Sequence, residues 1–209
     1  VGSEMCIRDR QHQDHFHGSD LEKIEQIYHI KKENITSFSA NANPLGISFK
    51  LRETLASHID AITSYPDREY TSLRKAIGRY INANYENILV GNGSSELISI
   101  LIQTKMPKNV LLLSPTYSEY EREVALCGGE CHYFQLKEED NFVLNLDKLC
   151  ATLQPDVDLL ILCNPNNPTS SQITVETMRK LLEHCKQNDI LVMVDETYVE
   201  FAEDVSLIS

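Results

Sequence analysis

Between Asp158 and Ser170 the chain reads DLLILCNPNNPTS. Leu159, Leu160, Ile161, Leu162 and Cys163 form a short, unbroken apolar run, the pattern of a strand buried on both faces of a parallel sheet. The run stops at Asn164-Pro165-Asn166-Asn167-Pro168. Each proline lacks a backbone donor and pushes the residue before it, Asn164 or Asn167, towards extended geometry. Three carboxamides are thereby expected on a stiffened loop at the C-terminal end of a buried strand, where open α/β sheets bind their ligands. Judged alone, the loop reads equally well as an asparagine-rich turn.

Working outward, apolar runs alternate with helical periodicity. Strands are expected at Ile88–Val90, Val110–Leu113, Cys131–Gln135, 159–163 and Ile190–Val194. Helices are expected between them, at 94–104, 116–126, 146–153 and 174–187. This alternation defines an α/β fold whose mostly parallel sheet is covered by helices on both faces. Upstream, Ser19-Asp20-Leu21-Glu22 reads as a capping box for a first helix, and Ser48 as the cap of a second carrying Leu51, Leu55 and Ile59. A further helix is expected over 71–82, after the break at Tyr65-Pro66-Asp67. The division expected is a non-native or disordered leader at 1–16, an arm with part of a small domain at 17–62, and a large domain from 63 to 209.

A net charge of −12 argues against nucleic acid as a partner, and no apolar run reaches the length of a membrane span. The six cysteines contain no CxxC pair, which points to reduced thiols and a cytoplasmic location. Cys127 and Cys131 flank Gly128-Gly129 beside His132, but four well-spaced ligands are missing and no metal site is expected.

Four features fall at the C-terminal ends of expected strands. Gly91-Asn92-Gly93-Ser94-Ser95-Glu96 leads into a helix whose first N–H groups could hold a phosphate, although it lacks the P-loop lysine. Ser114-Pro115-Thr116-Tyr117 sets an aromatic ring beside the sheet edge, and the Asn164–Pro168 loop follows the central run. Asp195-Glu196-Thr197-Tyr198 ends the last strand with a carboxylate that must find strong donors, either a helix N-terminus or a protonated ring nitrogen. Together these match the needs of pyridoxal phosphate: a phosphate cradle, a stacking ring, donors for the phenolic oxygen and a carboxylate for the pyridinium nitrogen.

The motifs GNGSSELI, PTYSEYE, CNPNNPTS and VDETYVEF, in this order, resemble the class I/II aminotransferases of pyridoxal-phosphate fold type I. The histidinol-phosphate aminotransferase branch is similar over most of the chain, and HGSD at His17 with SANANPLG from Ser39 resembles threonine-phosphate decarboxylases. The resemblance implies that Asn92, Gly93, Ser94 and Ser95 hold the cofactor phosphate and that Tyr117 stacks on its ring. It implies that Asn167 and Tyr198 bond the phenolic oxygen and that Asp195 pairs with the ring nitrogen, with Asn164 and Asn166 left to shape the loop. Tyr65 corresponds to a tyrosine lent to the neighbouring subunit's cofactor, implying a homodimer, and Asn43, His17 and Gly18 lie in the substrate-covering arm.

Ser170 stands where the family usually has glycine, and the chain ends at Ser209, before the family's Schiff-base lysine and its substrate-carboxylate arginine. No catalytic lysine is therefore named, and the polypeptide is expected to be the front part of an enzyme. The activity implied is that of an aminotransferase or decarboxylase acting on a small, phosphorylated amino acid or amine. The alternative is a binding or regulatory module without turnover. A Rossmann dehydrogenase is disfavoured by the missing GxGxxG.

Overall fold

The computed structural model describes residues 20–36, 41, 43, 45–202 and 205–207. The chain divides into two compact units, with the boundary between Asp67 and Arg68.

In the first unit, α1 (Leu21–Tyr28) is capped by Asp20, whose side chain accepts from the Lys23 N–H. The cap is thus one residue later than the expected Ser19, which lies outside the described residues. Ser48 caps α2 (Phe49–Ser57) as expected, accepting from the Leu51 N–H at 3.2 Å. That helix ends before Ile59, which begins a 3-10 turn. None of the described residues of this unit is buried.

The second unit holds α3 (Thr71–Tyr80), α4 (Ser94–Lys105), β1 (Asn109–Ser114), α5 (Glu119–Leu126), β2 (Glu130–Gln135), α6 (Leu146–Thr152), β3 (Leu159–Cys163), α7 (Val175–Gln187) and β4 (Leu191–Asp195). Its four strands are parallel, in the order β2-β1-β3-β4. Alternate side chains of β1 and β3 feed opposite cores, as the two-residue period of a strand requires. Leu111, Leu113, Leu160 and Leu162 pack with Leu149 of α6 and Met178, Leu181 and Cys185 of α7. Val110, Leu112, Leu159 and Ile161 pack on the other face with Ile98 and Ile102 of α4 and Tyr120 and Val124 of α5. The result is a three-layer α/β/α unit. All five residues of β3 are buried, each aliphatic side chain contributing about 1.5–3 kcal/mol relative to exposure.

Two strand expectations change. Ile88–Val90 is not a strand: its backbone is extended at Ile88, but no described strand lies alongside to form a ladder with it. The apolar run at 190–194 does form a strand, β4, one residue later at Leu191–Asp195. It is only partly buried because among the described residues it has one neighbour, β3, and so forms an edge of the sheet.

The Cys127–His132 segment is explained by packing. Gly128 turns the chain at the end of α5 with φ of +72°. A Cβ on Gly129 would stand 2.5 Å from the Pro107 carbonyl oxygen, so only glycine fits there. Among the described residues no group of three or more His, Cys, Asp or Glu side chains is placed to hold a metal ion, and no helix is long and apolar enough to cross a membrane. The five described cysteines are free thiols.

Candidate cofactor site at the carboxyl edge of the sheet

In the strand order β2-β1-β3-β4, the chain leaves β1 towards one side and returns to β3 on the other. The crevice between the C-terminal ends of β1 and β3 is thus a topological switch point, the place where such sheets bind ligands. The loops after these strands are Ser114–Tyr117 and Asn164–Pro168, two of the four sequence features.

Asn166 binds the two loops together. Its Nδ2 donates to the Pro115 carbonyl at 2.9 Å and to Thr169 Oγ1 at 2.8 Å, while its Oδ1 accepts from Thr116 Oγ1 at 3.1 Å. This holds Pro115–Tyr117 in irregular form, and α5 begins at Glu119 rather than at 116. Asn164, fully buried, acts as a piece of strand edge: its Oδ1 accepts from the Ile173 N–H at 2.8 Å and its Nδ2 donates to the Ile173 carbonyl at 3.1 Å. Its own N–H donates to the Asp195 carbonyl at 2.9 Å, joining the loop to the end of β4. Asn164 and Asn166 are therefore consumed by the scaffold. Asn167 is the half-buried member of the three.

Ser170 adopts φ of +59°, in the left-handed region that favours glycine. A serine there carries strain that glycine would relieve, less the greater chain entropy that glycine loses on folding. Ser170→Gly is expected to raise stability by about 0.5–1 kcal/mol, read as an increased urea midpoint at constant slope. An unchanged or lower midpoint would contradict this account.

Asp195 ends β4 in register with Cys163. The sequence leaves its partner open between a helix N-terminus and a ring nitrogen; among the described residues the structure supplies neither. Oδ1 accepts from the Thr197 N–H at 2.9 Å and from Thr197 Oγ1 at 2.6 Å, and Oδ2 accepts from the Tyr120 hydroxyl at 2.7 Å. Carboxylate oxygens have two lone pairs each, so Oδ2, with one donor, can accept another. Burial, with the Cys163 thiol and Asp195 beside it, pushes the Tyr120 phenol well above its ordinary range, so its hydroxyl stays protonated and donates. Burial likewise raises the Cys163 thiol, which donates to the Pro165 carbonyl at 3.3 Å.

Tyr117 is half-buried and meets Tyr120 edge-on, ring centroids 5.5 Å apart and planes at 84°. Tyr120 and Thr197 are the site residues that motif reading missed. One signal was present: Tyr120 lies three residues after Tyr117, close enough along the chain to share a side. Tyr198 is half-buried at the start of the 3-10 turn Val199–Phe201.

The Gly91–Glu96 turn enters α4 through Gly93, whose φ of +80° and ψ of +173° are essentially reserved for glycine. Gly93 offers no side-chain cap to the first turn of the helix. Glu96 folds back instead, its carboxylate accepting from the Asn92 N–H and from Asn92 Nδ2. Ser94 is half-buried and Asn92 and Ser95 are exposed. Only Met106–Lys108 separates α4 from β1, so the helix runs back along the strand it packs against. Its 12 residues span about 18 Å, close to the length of β1, which places the Gly93–Ser95 turn towards the carboxyl edge.

The remaining site candidates fall at positions before Arg68, where the second unit begins. Asn43 closes a local turn, accepting from the Leu45 N–H and donating to the Gly46 carbonyl, and Tyr65 is fully exposed. His17 and Gly18 lie outside the described residues.

A parallel sheet with an acidic residue closing one strand, a carboxamide loop at the switch point and a helix start without a side-chain cap is an arrangement of the kind that coenzyme-binding α/β folds use. Residues 33–208 match the family Aminotransferase class I and II, and the chain belongs to that family. It is 32% identical over 185 residues to the threonine-phosphate decarboxylase of Salmonella typhimurium, covering 88% of this chain and 50% of that protein. It is 30% identical over 188 residues to the histidinol-phosphate aminotransferase of Methanocaldococcus jannaschii, again covering 88% and 50%. The solved histidinol-phosphate aminotransferase of Clostridium acetobutylicum superimposes with a TM-score of 0.73 at 29% identity, over 83% of this chain and 51% of that one. The chain thus spans about half the length of the relatives it matches. It is a protein of the class I and II aminotransferase family, similar to threonine-phosphate decarboxylases and histidinol-phosphate aminotransferases.

Proposed function

We propose that this chain is the cofactor-binding front portion of an enzyme that uses pyridoxal phosphate to act on a small, phosphorylated amino acid or amine. The observation that carries this reading is the Asp195 carboxylate, held at the carboxyl edge by Tyr120 and Thr197 with an acceptor position remaining on Oδ2. The donor set fits the cofactor. Ser94, Ser95 and the N–H groups that start α4, with Asn92 and Gly93 before them, would hold its phosphate. Tyr117 would cover its ring, Asn167 and Tyr198 would hold its phenolic oxygen, and Asp195 would keep its ring nitrogen protonated. When bound, pyridoxal phosphate supplies the electron sink for breaking a bond to the substrate Cα.

In this reading the second unit, from Arg68, is part of the cofactor-binding large domain, and the first is the arm with part of a small domain. Asn43, His17 and Gly18 would approach the substrate from that arm. Tyr65, fully exposed here, would serve the cofactor of a second subunit in a homodimer. A phosphorylated substrate is favoured because two branches similar in sequence carry one in their names, threonine phosphate and histidinol phosphate.

The test uses the full-length gene product. Added pyridoxal phosphate is expected to give a visible absorbance that survives dialysis; its loss on dialysis would refute the cofactor assignment. Phosphothreonine and histidinol phosphate are then supplied separately. Release of CO2 from the first identifies a decarboxylase, and 2-oxoglutarate-dependent turnover of the second identifies an aminotransferase. Turnover of neither would overturn the substrate class.

A further inference from the structure

Asp195 has its main chain fixed by the β3–β4 ladder and by the Asn164 N–H on its carbonyl. Its carboxyl group could still rotate about the Cβ–Cγ bond, and that rotation decides whether an oxygen meets a partner in the crevice. Three donors stop it. Thr197 takes Oδ1 with its N–H and its hydroxyl, and Tyr120 takes Oδ2. Tyr120 itself cannot shift, because it is completely buried among Ile98, Val124 and β3 and edged by Tyr117.

We infer that Tyr120 and Thr197 are positioning residues that clamp the Asp195 carboxylate in the one orientation in which Oδ2 can accept a bond from a protonated ring nitrogen. This rests on the reading of Asp195 as the partner of the cofactor's ring nitrogen. The Tyr120 clamp also couples the two ring contacts. Tyr117, the proposed stacking residue, touches Tyr120, and Tyr120 holds Asp195, so stacking and nitrogen recognition share one support.

The experiment measures binding of two probes to the full-length protein stripped of cofactor. One is pyridoxal phosphate; the other is its 1-deaza analogue, in which C–H replaces the ring nitrogen. The wild type is expected to prefer pyridoxal phosphate by about tenfold or more, since a charged hydrogen bond is at stake. Tyr120→Phe, which keeps the ring and removes only the hydroxyl, is expected to lose most of that preference while binding the analogue as the wild type does. Thr197→Val, an exposed position where folding is not endangered, is expected to lose part of it in the same way. If both variants keep the full preference, or lose affinity for both probes equally, the clamp is overturned and the Tyr120 contact is packing alone. If the wild type shows no preference, the ring-nitrogen reading of Asp195 falls and takes the clamp with it.

Discussion

Asp195→Ala is expected to weaken pyridoxal phosphate binding by about a hundredfold or more, the loss of a partly buried charge pair. The substitution removes the carboxylate that would keep the ring nitrogen protonated. It also leaves the buried Tyr120 hydroxyl, 2.7 Å from Oδ2, without its acceptor. Asp195→Asn separates these effects: an amide oxygen can still accept from Tyr120 or Thr197, but the charge is gone. The asparagine variant is therefore expected to fold as the wild type does and to bind the cofactor nearly as poorly as the alanine variant. Equilibrium dialysis or fluorescence titration of the full-length protein measures both. Binding within threefold of wild type in the asparagine variant would refute the charge-pair role, by the factor-of-ten scale that 1.4 kcal/mol sets.

Asn164→Ala is expected to be the most damaging change in the loop, costing about 3–5 kcal/mol of stability. The Asn164 side chain satisfies both the N–H and the carbonyl of Ile173, all in buried surroundings. Alanine would leave two main-chain groups without partners, each costing about 1–3 kcal/mol, and a small void besides. Because a domain's whole stability is about 5–15 kcal/mol, the variant should melt far below the wild type in urea. Asn167→Ala, at the half-buried position of the same loop, should leave the urea midpoint near wild type and lower cofactor affinity instead. Equal destabilisation by the two substitutions would show that the scaffold and cofactor roles are not divided as described.

Much of this was legible in the sequence because parallel sheets write a strong signal. The apolar run at 159–163 became β3 with matching bounds, and the apolar face of α7 packed through Met178, Leu181 and Cys185. The loop-shaping role of Asn164 and Asn166 was legible too. Other points were not. The stretch 88–90 has the apolar composition of a strand, but a strand exists only where a neighbour supplies hydrogen bonds, and local composition does not report neighbours. At position 170 the sequence shows only that serine stands where the family usually has glycine; the φ of +59° shows why glycine suits it.

By itself the sequence determined the α/β class and the order of elements from Ser94 onward, and it singled out the four stretches proposed to carry the chemistry, because periodicity, proline and glycine act within a few residues of chain. Only the tertiary structure decided what satisfies Asp195. Its donors come from Thr197, two residues away, and from Tyr120, 75 residues earlier in the chain. That second contact arises because β4 lies beside β3, while α5 packs across β1 and β3 on one face of the sheet. A carboxylate's need for donors can be read from one residue, but which donor answers it depends on which helix the folded sheet brings to its edge.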